Sequence, residues 1–275
     1  MSDVPTTRLS DGLTIPQLGF GVFQVPPDEA EQVVATALRA GYRSLDTAAA
    51  YQNEAGVGRA IAASGLERDD VYVTTKLWND DQGYDEALRA FDRSLGELGL
   101  AQVDLYLVHW PVPHAGRYVD TWRAFRKIKA EGRARSVGVS NFTEAHISRL
   151  ADETGALPVL NQVELHPYLQ QPELRAFHAE HGIATEAWGP LGQGGEVLQD
   201  PVITGLADEY GKTPAQVILR WHLQLGNVVI PKSATPERIE ANLDVFDVEL
   251  ADDDMAAIAD LDRGERLGPD PETFG

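Results

Sequence analysis

What most constrains this chain is an alternation of texture along its length. Short β-branched or Leu-rich apolar runs stand at 18–22, 44–46, 71–77, 103–110, 136–140, 159–165, 183–188 and 227–230. Several are apolar almost without a break, as parallel strands buried on both faces are. Amphipathic stretches of helical length lie between them. The stretch 28–40 sets Val33, Val34, Ala37 and Leu38 at helical spacing and stops at Gly41, a left-handed C-cap signal. Others run over 84–98, 119–130, 143–151, 172–181, 201–210, 214–225 and 236–243. Four of them open at or near a proline, whose missing N–H is harmless in a first turn. About eight strand–helix alternations predict an α/β fold of the (β/α)8 TIM-barrel type, and 275 residues suffice for one such domain spanning 1–275.

Two segments stand outside the alternation. Thr6 to Ile15 contains Asp11-Gly12, a hairpin turn, and is expected to cap the bottom of the barrel. Residues 251–261 predict an extra acidic C-terminal helix, with an irregular tail over 264–275. The rival architecture, a Rossmann sheet, needs G-x-G-x-x-G after its first strand. Here Gly19-Phe20-Gly21-Val22-Phe23-Gln24 lacks the third glycine.

Charge and composition exclude several functions. The chain has 23 Lys+Arg against 43 Asp+Glu, a net charge of −20, which repels nucleic-acid backbones. It has no Cys, hence no disulfide, thiolate nucleophile or Cys-ligated metal. The opening MSDVPTTRLSDG has neither the cationic nor the apolar region of a signal peptide. No apolar run approaches the ~18 residues of a membrane span. The expectation is a soluble cytoplasmic protein with no nucleic-acid or membrane partner.

In a barrel, chemistry gathers where the strands end. There the apolar runs give way to Asp46, Lys76-Leu77-Trp78, His109-Trp110, Ser140-Asn141, Gln162, Glu164 and Glu186-Ala187-Trp188, with Tyr51 just beyond Asp46. A tyrosine hydroxyl, pKa about 10, is a poor acid alone. A nearby ammonium favours the phenolate, and a carboxylate holds the ammonium in place. Asp46, Lys76 and Tyr51 with a neutral His109 therefore make a proton donor poised at a carbonyl. Reduction also needs a hydride, which no side chain supplies, so a nicotinamide cofactor is expected. Trp188 offers a flat face for its ring, and Ser140, Asn141 and Gln162 offer partners for its carboxamide. The loop Gly189-Pro190-Leu191-Gly192-Gln193-Gly194-Gly195 can wrap a pyrophosphate with backbone N–H groups. Lys232, Ser233 and Arg238 form a basic cluster suited to a further phosphate, conspicuous in so acidic a chain.

Other chemistries fit less well. Asp46, His109, Glu164, His166 and Glu186 could serve a metal-dependent barrel hydrolase or isomerase, but Lys76 would oppose a divalent cation. A Schiff-base aldolase using Lys76 leaves the Lys232/Arg238 cluster unexplained. Gly138-Val139-Ser140-Asn141-Phe142 breaks the serine-hydrolase elbow at its last position. A non-catalytic nicotinamide-binding regulator would not need the acid–base set.

The chain resembles the aldo-keto reductase family over nearly its whole length. The resemblance rests on Gly41-Tyr42-Arg43-Ser44-Leu45-Asp46-Thr47-Ala48 with Glu54 and Gly58, and on Ile230-Pro231-Lys232-Ser233 with Arg238 and Asn242. Thr74-Thr75-Lys76-Leu77-Trp78-Asn79, Asp104 to Pro111 and Trp188 to Gly194 make bacterial 2,5-diketo-D-gluconate reductases the nearest branch. It implies NADPH and reversible reduction of aldehydes or ketones, with keto-sugar acids and small dicarbonyls as substrates. It implies Tyr51 as general acid, Lys76 and Asp46 tuning it, and His109 positioning the carbonyl. Ser140, Asn141, Gln162, Trp188, Gly189, Leu191, Gly192, Gln193 and Asn242 would hold the cofactor, with Lys232, Ser233 and Arg238 on its 2′-phosphate. Phe23, Trp78, Trp110 and Trp188 would wall the substrate pocket, and no metal is implied. Ala241 stands where many members carry Glu, and Thr235 where close relatives can carry a base. A short tail after Asp262 implies an open pocket, and the family implies a monomer.

Overall fold

The computed structural model describes residues 4–275, so the first three residues of the stretch MSDVPTTRLSDG lie outside the described residues. The chain opens with the antiparallel hairpin of β1 (Thr6–Arg8) and β2 (Thr14–Pro16). Eight parallel strands follow in chain order: β3 (Phe20–Gly21), β4 (Ser44–Asp46), β5 (Tyr72–Leu77), β6 (Val103–Val108), β7 (Ala134–Ser140), β8 (Leu160–Glu164), β9 (Ala184–Trp188) and β10 (Val228–Val229). Each pairs with its sequence neighbour. The ring closes through a parallel bridge between Leu18 and Val229, where the Gly19 N–H donates to the Val229 carbonyl at 2.8 Å. This is the expected (β/α)8 barrel. The first and last strands are shorter than their apolar runs. Gly19 and Gly21 lie against Ser44 and Ile230 with no room for a side chain, and Pro231 has no N–H to continue the ladder.

Alternation along each strand sorts side chains into two cores. On β6, Tyr106 points outward and stacks on Phe125 at 4.3 Å, whereas Leu105 and Leu107 point inward with Leu160, Val228 and Ile15. Ile15, fully buried, belongs to the hairpin, so the hairpin plugs the lower barrel as expected. Asp11 at its turn accepts from Lys129 Nζ at 2.6 Å and from Ser136 Oγ at 2.8 Å.

The outer layer consists of α1 (Ala30–Ala40), α2 (Glu54–Ala63), α3 (Tyr84–Leu98), α4 (Tyr118–Ala130), α5 (Glu144–Thr154), α6 (Pro172–Glu180), α7 (Pro201–Tyr210), α8 (Pro214–Gln224) and α9 (Pro236–Ala241). The acidic α10 (Asp252–Ala259) follows. Helix α2 is the one that periodicity does not reveal, because Gly56 and Gly58 dilute its pattern. Those glycines answer to packing. A Cβ at Gly58 would lie 2.1 Å from the Leu98 carbonyl oxygen, and one at Gly56 would lie 2.7 Å from Ala30 Cβ. Among the described residues no helix is long and apolar enough to cross a membrane.

Candidate active site

Above the apolar layer the inward positions become polar. Asp46 ends β4, Lys76 lies near the end of β5, and the inward alternation of Leu105 and Leu107 continues to His109 just past β6. Ser140 and Gln162 are register partners, as are Gln162 and Glu186. Six strands thus deliver polar groups to one level of the barrel.

Lys76 has no exposed surface, and each hydrogen of its ammonium meets an acceptor. Nζ donates to Asp46 Oδ1 at 2.5 Å, to the Thr47 carbonyl at 3.0 Å and to Tyr51 Oη at 3.4 Å. Burial opposes the charge, but Asp46 and Tyr51 outweigh it and hold the ammonium above its ordinary range. Tyr51 arrives on the short 3-10 turn Ala49–Tyr51, four residues beyond Thr47, which is why its hydroxyl reaches the same ammonium. The phenol does not become more acidic overall, contrary to the expectation from its cationic neighbour. Burial raises it and outweighs the lowering by Lys76, with Asp46 adding to the rise. The phenol therefore keeps its proton in the free protein.

His109 lies edge-on to Tyr51 and to Trp78, with ring centroids 5.7 and 5.3 Å away. Burial first, and then Lys76, push it well below the ordinary imidazole range, so the ring is neutral. Among the described residues its Nδ1 is enclosed without a partner, which leaves Nε2 to meet a ligand. A protonated phenol and a neutral imidazole side by side can both address one carbonyl oxygen.

The structure adds a member to this group. Gln162 Nε2 donates to Asp46 Oδ2 at 2.9 Å and to Glu186 Oε2 at 2.8 Å. Glu186 is 1% exposed, and burial followed by the charge of Asp46 pushes its carboxyl up to about 8. Sequence reading places Glu186 at a strand end but not in contact with this set. Only the register, which seats it beside Gln162, makes that contact. With both amide hydrogens spent inside the barrel, Gln162 has its carbonyl oxygen left for a cofactor amide.

The remaining predicted cofactor residues fall into two groups. Ser140, Asn141 and Trp188 adjoin the polar set. Asn141, in left-handed backbone (φ 63°), donates to the His109 carbonyl at 3.0 Å and accepts from Trp188 Nε1 at 2.7 Å. Beyond Trp188, Gly189 (φ 60°) and Gly192 (φ 57°) turn the loop, Gln193 is exposed and Leu191 rests on the core. On the loop after β10 and on α9, Lys232 and Arg238 are exposed, Ser233 and Asn242 are buried, and among the described residues neither cation is paired with a carboxylate. Two unspent cations in so acidic a chain suit an anionic ligand.

Of the predicted pocket wall, Phe23 packs on Tyr51 at 5.2 Å but is 52% exposed, so it forms an outer lip. Trp78 is half-buried and Trp110 buried. The expectation of an open pocket needs correction. The tail crosses the barrel mouth and sets Phe274 against Trp110 at 4.6 Å and Trp78 at 6.5 Å. Phe274 is a wall residue that sequence reading missed, because an irregular tail carries no periodicity to place it. Glu164 and His166 pair with each other at 3.1 Å under that tail. Among the described residues no three His, Asp or Glu side chains gather as a metal-binding set.

The chain is similar to known proteins over its whole length. Residues 17–263 match the Aldo/keto reductase family. An aldo-keto reductase of Mycolicibacterium smegmatis is 59% identical over 98% of each chain. A protein of Yersinia pestis named methylglyoxal reductase DkgA is 52% identical over 100% of this chain and 99% of its own. Among solved structures, a mutant of Gox0644 in complex with NADPH superposes with a TM-score of 0.96 at 49% identity, covering both chains fully. An aldo/keto reductase from Brucella melitensis gives 0.91 at 56% identity, over 94% of this chain and 100% of its own.

Proposed function

Because this chain belongs to the aldo/keto reductase family, and is thereby an NADPH-dependent reductase of carbonyl compounds, we propose that Tyr51 is its proton donor and that Asp46, Lys76 and His109 complete the catalytic set. The observation that carries this reading is the saturated ammonium of Lys76, shared among Asp46, the Thr47 carbonyl and the Tyr51 hydroxyl. A substrate carbonyl oxygen lies between Tyr51 Oη and His109 Nε2. The neutral imidazole donates a hydrogen bond that orients and polarises it. NADPH, when bound, supplies the hydride to the carbonyl carbon. The Tyr51 proton passes to the oxygen as negative charge develops there, giving the alcohol. The phenolate left behind faces an ammonium 3.4 Å away, whose attraction strengthens as charge appears on it. Lys76 therefore does little for the resting phenol and most for the state in which the proton has left.

Trp188, Ser140, Asn141 and Gln162 fit the nicotinamide end of the cofactor, and residues 189–193 its pyrophosphate. Lys232, Ser233, Arg238 and Asn242 fit the adenosine end, where the unpaired cations favour a 2′-phosphate. The pocket of Trp78, Trp110 and Phe274 suits small carbonyl compounds shielded from water. Small dicarbonyls and keto-sugar acids such as 2,5-diketo-D-gluconate are the substrates we assign, and the Yersinia relative's name points to the former. The test is Tyr51→Phe followed by NADPH oxidation with a small dicarbonyl. Turnover should fall about 10²–10⁴-fold, the contribution of a positioned acid, with NADPH binding retained. Near-normal turnover would remove Tyr51 from this role.

A further inference from the structure

One buried carboxylate meets the tail where it crosses Trp188. Glu164 ends β8, is 1% exposed and lies in register with Trp188. Its Oε1 accepts from the Leu267 N–H at 2.6 Å and from His166 Nε2 at 3.1 Å, and its Oε2 accepts from the Gly268 N–H at 2.9 Å. Arg266 approaches at 3.6 Å. Burial disfavours the charge, yet these bonds outweigh it and keep the carboxyl below its usual range. The proposed reaction uses none of these atoms. Two successive backbone N–H groups bound to one buried carboxylate is the arrangement by which main chain captures an anion, here with the anion fixed and the chain captured.

The capture has a shape requirement. A Cβ at residue 268 would lie 2.4 Å from Trp188 Cη2 and 3.0 Å from Glu164 Oε2, so only glycine lets the strand of tail lie down on both. Before the clamp, the Arg263 and Glu265 N–H groups donate to the Tyr168 carbonyl at 3.1 and 3.0 Å. Beyond it, Glu272 accepts from Thr143 Oγ1 at 2.9 Å, and Phe274 reaches the tryptophans. Glu272 is exposed, so its bond is weak, and the buried clamp is the strong attachment of the segment.

We propose that Glu164 is a specificity-determining positioning residue, the anchor that docks residues 264–275 across the barrel mouth so that Phe274 closes the carbonyl pocket against Trp78 and Trp110. This rests on the reading of that pocket given above. Glu164 touches neither the carbonyl nor its proton. Its effect is exerted through the tail, on carbonyl compounds large enough to touch Phe274.

The test compares Glu164→Gln, Gly268→Ala and Phe274→Ala in the full chain, using a small dicarbonyl and an aromatic aldehyde with NADPH. Glu164→Gln replaces one of the two acceptor oxygens by a donor, and Gly268→Ala lifts the tail while leaving the carboxylate intact. Both should raise KM for the aromatic aldehyde about tenfold, ~1.4 kcal/mol, with kcat nearly unchanged and the small dicarbonyl little affected. Phe274→Ala should raise KM for the aromatic aldehyde at least as much, and Glu164→Gln should add nothing further in the Phe274→Ala background. A second readout is independent of turnover. Trypsin cleavage after Arg266, followed by mass, should be about tenfold faster in Glu164→Gln and Gly268→Ala than in the parent. Unchanged selectivity with unchanged cleavage overturns the clamp, as does an equal loss of kcat on both substrates. If the parent itself shows no NADPH-linked turnover, the functional reading fails, while the cleavage assay still decides whether Glu164 holds the tail.

Discussion

Replacing Lys76 by Met separates what the buried ion pair does for the fold from what it does for the reaction. Met fills much of the lysine volume but removes the charge. Asp46, 3% exposed, then keeps one side-chain donor, Gln162 Nε2 at 2.9 Å, and loses the ammonium at 2.5 Å. Breaking one side of a buried pair costs about 3–5 kcal/mol, because the surviving charge is left uncompensated. The remaining bond from Gln162 puts the expected loss near the lower end, about 3 kcal/mol. In a protein of this size that is a fall of roughly 6–12 °C in melting temperature. Turnover should fall about 10²–10⁴-fold as the phenolate loses its neighbouring cation. The double variant Asp46→Asn with Lys76→Met carries no unpaired charge and should recover stability to within about 1 kcal/mol of the parent. Its turnover should stay as low as that of Lys76→Met. Thermal melts and NADPH-oxidation rates on the four proteins of the cycle provide the measurements. Equal instability of single and double variants would refute the uncompensated charge as the cause. Recovery of turnover in the double variant would show that Lys76 acts only by neutralising Asp46.

Three further outcomes are expected. Glu186 is raised to about 8 from an ordinary value of 4.5, so between those limits the folded chain holds a proton that the unfolded chain has released. Its contribution to stability is therefore complete below the lower value and is lost as pH rises through the higher one, with a slope of at most about 1.4 kcal/mol per pH unit. Glu186→Gln should remove that slope, so its stability advantage over the parent grows from pH 5 to pH 8, and parallel denaturation profiles would contradict a protonated Glu186. Arg238→Ala should weaken NADPH by about tenfold or more, the scale of one charge-assisted hydrogen bond, and NADH by less than about twofold, read by titration. Equal weakening would undo the 2′-phosphate assignment. Gly58→Ala should destabilise by about 1–3 kcal/mol, because the added carbon meets a backbone oxygen rather than a movable side chain. An unchanged melting temperature would mean that α2 can move away from α3 freely.

Local signals carried most of the barrel. Helix α3 spans the residues from Tyr84 to Leu98 that periodicity and Gly99 had marked, and β4 ends at Asp46 as expected. Helix α2 was obscured by glycines whose reason lies in Leu98 and Ala30, distant residues invisible to a window. The four residues Asp46, Tyr51, Lys76 and His109 were legible because a barrel puts every strand end on one rim, so topology alone makes them neighbours. Which of those neighbours touch was not legible. Asn161 and Gln162 are adjacent in the chain, yet Asn161 turns outward to the Phe142 carbonyl and His178 while Gln162 turns inward to Asp46 and Glu186. The phenol's direction of shift was misjudged for a related reason. Sequence names the nearby ammonium but not the depth of burial, and here burial dominates.

The inner polar layer reconciles three ionisable groups with a low-dielectric interior. Asp46 and Lys76 cancel each other at contact distance. A second carboxylate would leave the layer one charge negative, beside the phenol that is to become anionic; Asp46 acts to raise that phenol, and Glu186 would do so once ionised. Keeping Glu186 protonated avoids this. The layer is neutral at rest, and the field of Lys76 is shared only with Asp46 when the Tyr51 proton leaves. Ionisation of Glu186 would raise the cost of forming the phenolate without moving any atom of the set. The upper pH limit for reduction should therefore reflect a carboxyl group linked to the lysine–tyrosine pair only through Gln162 and Asp46, as well as the tyrosine itself.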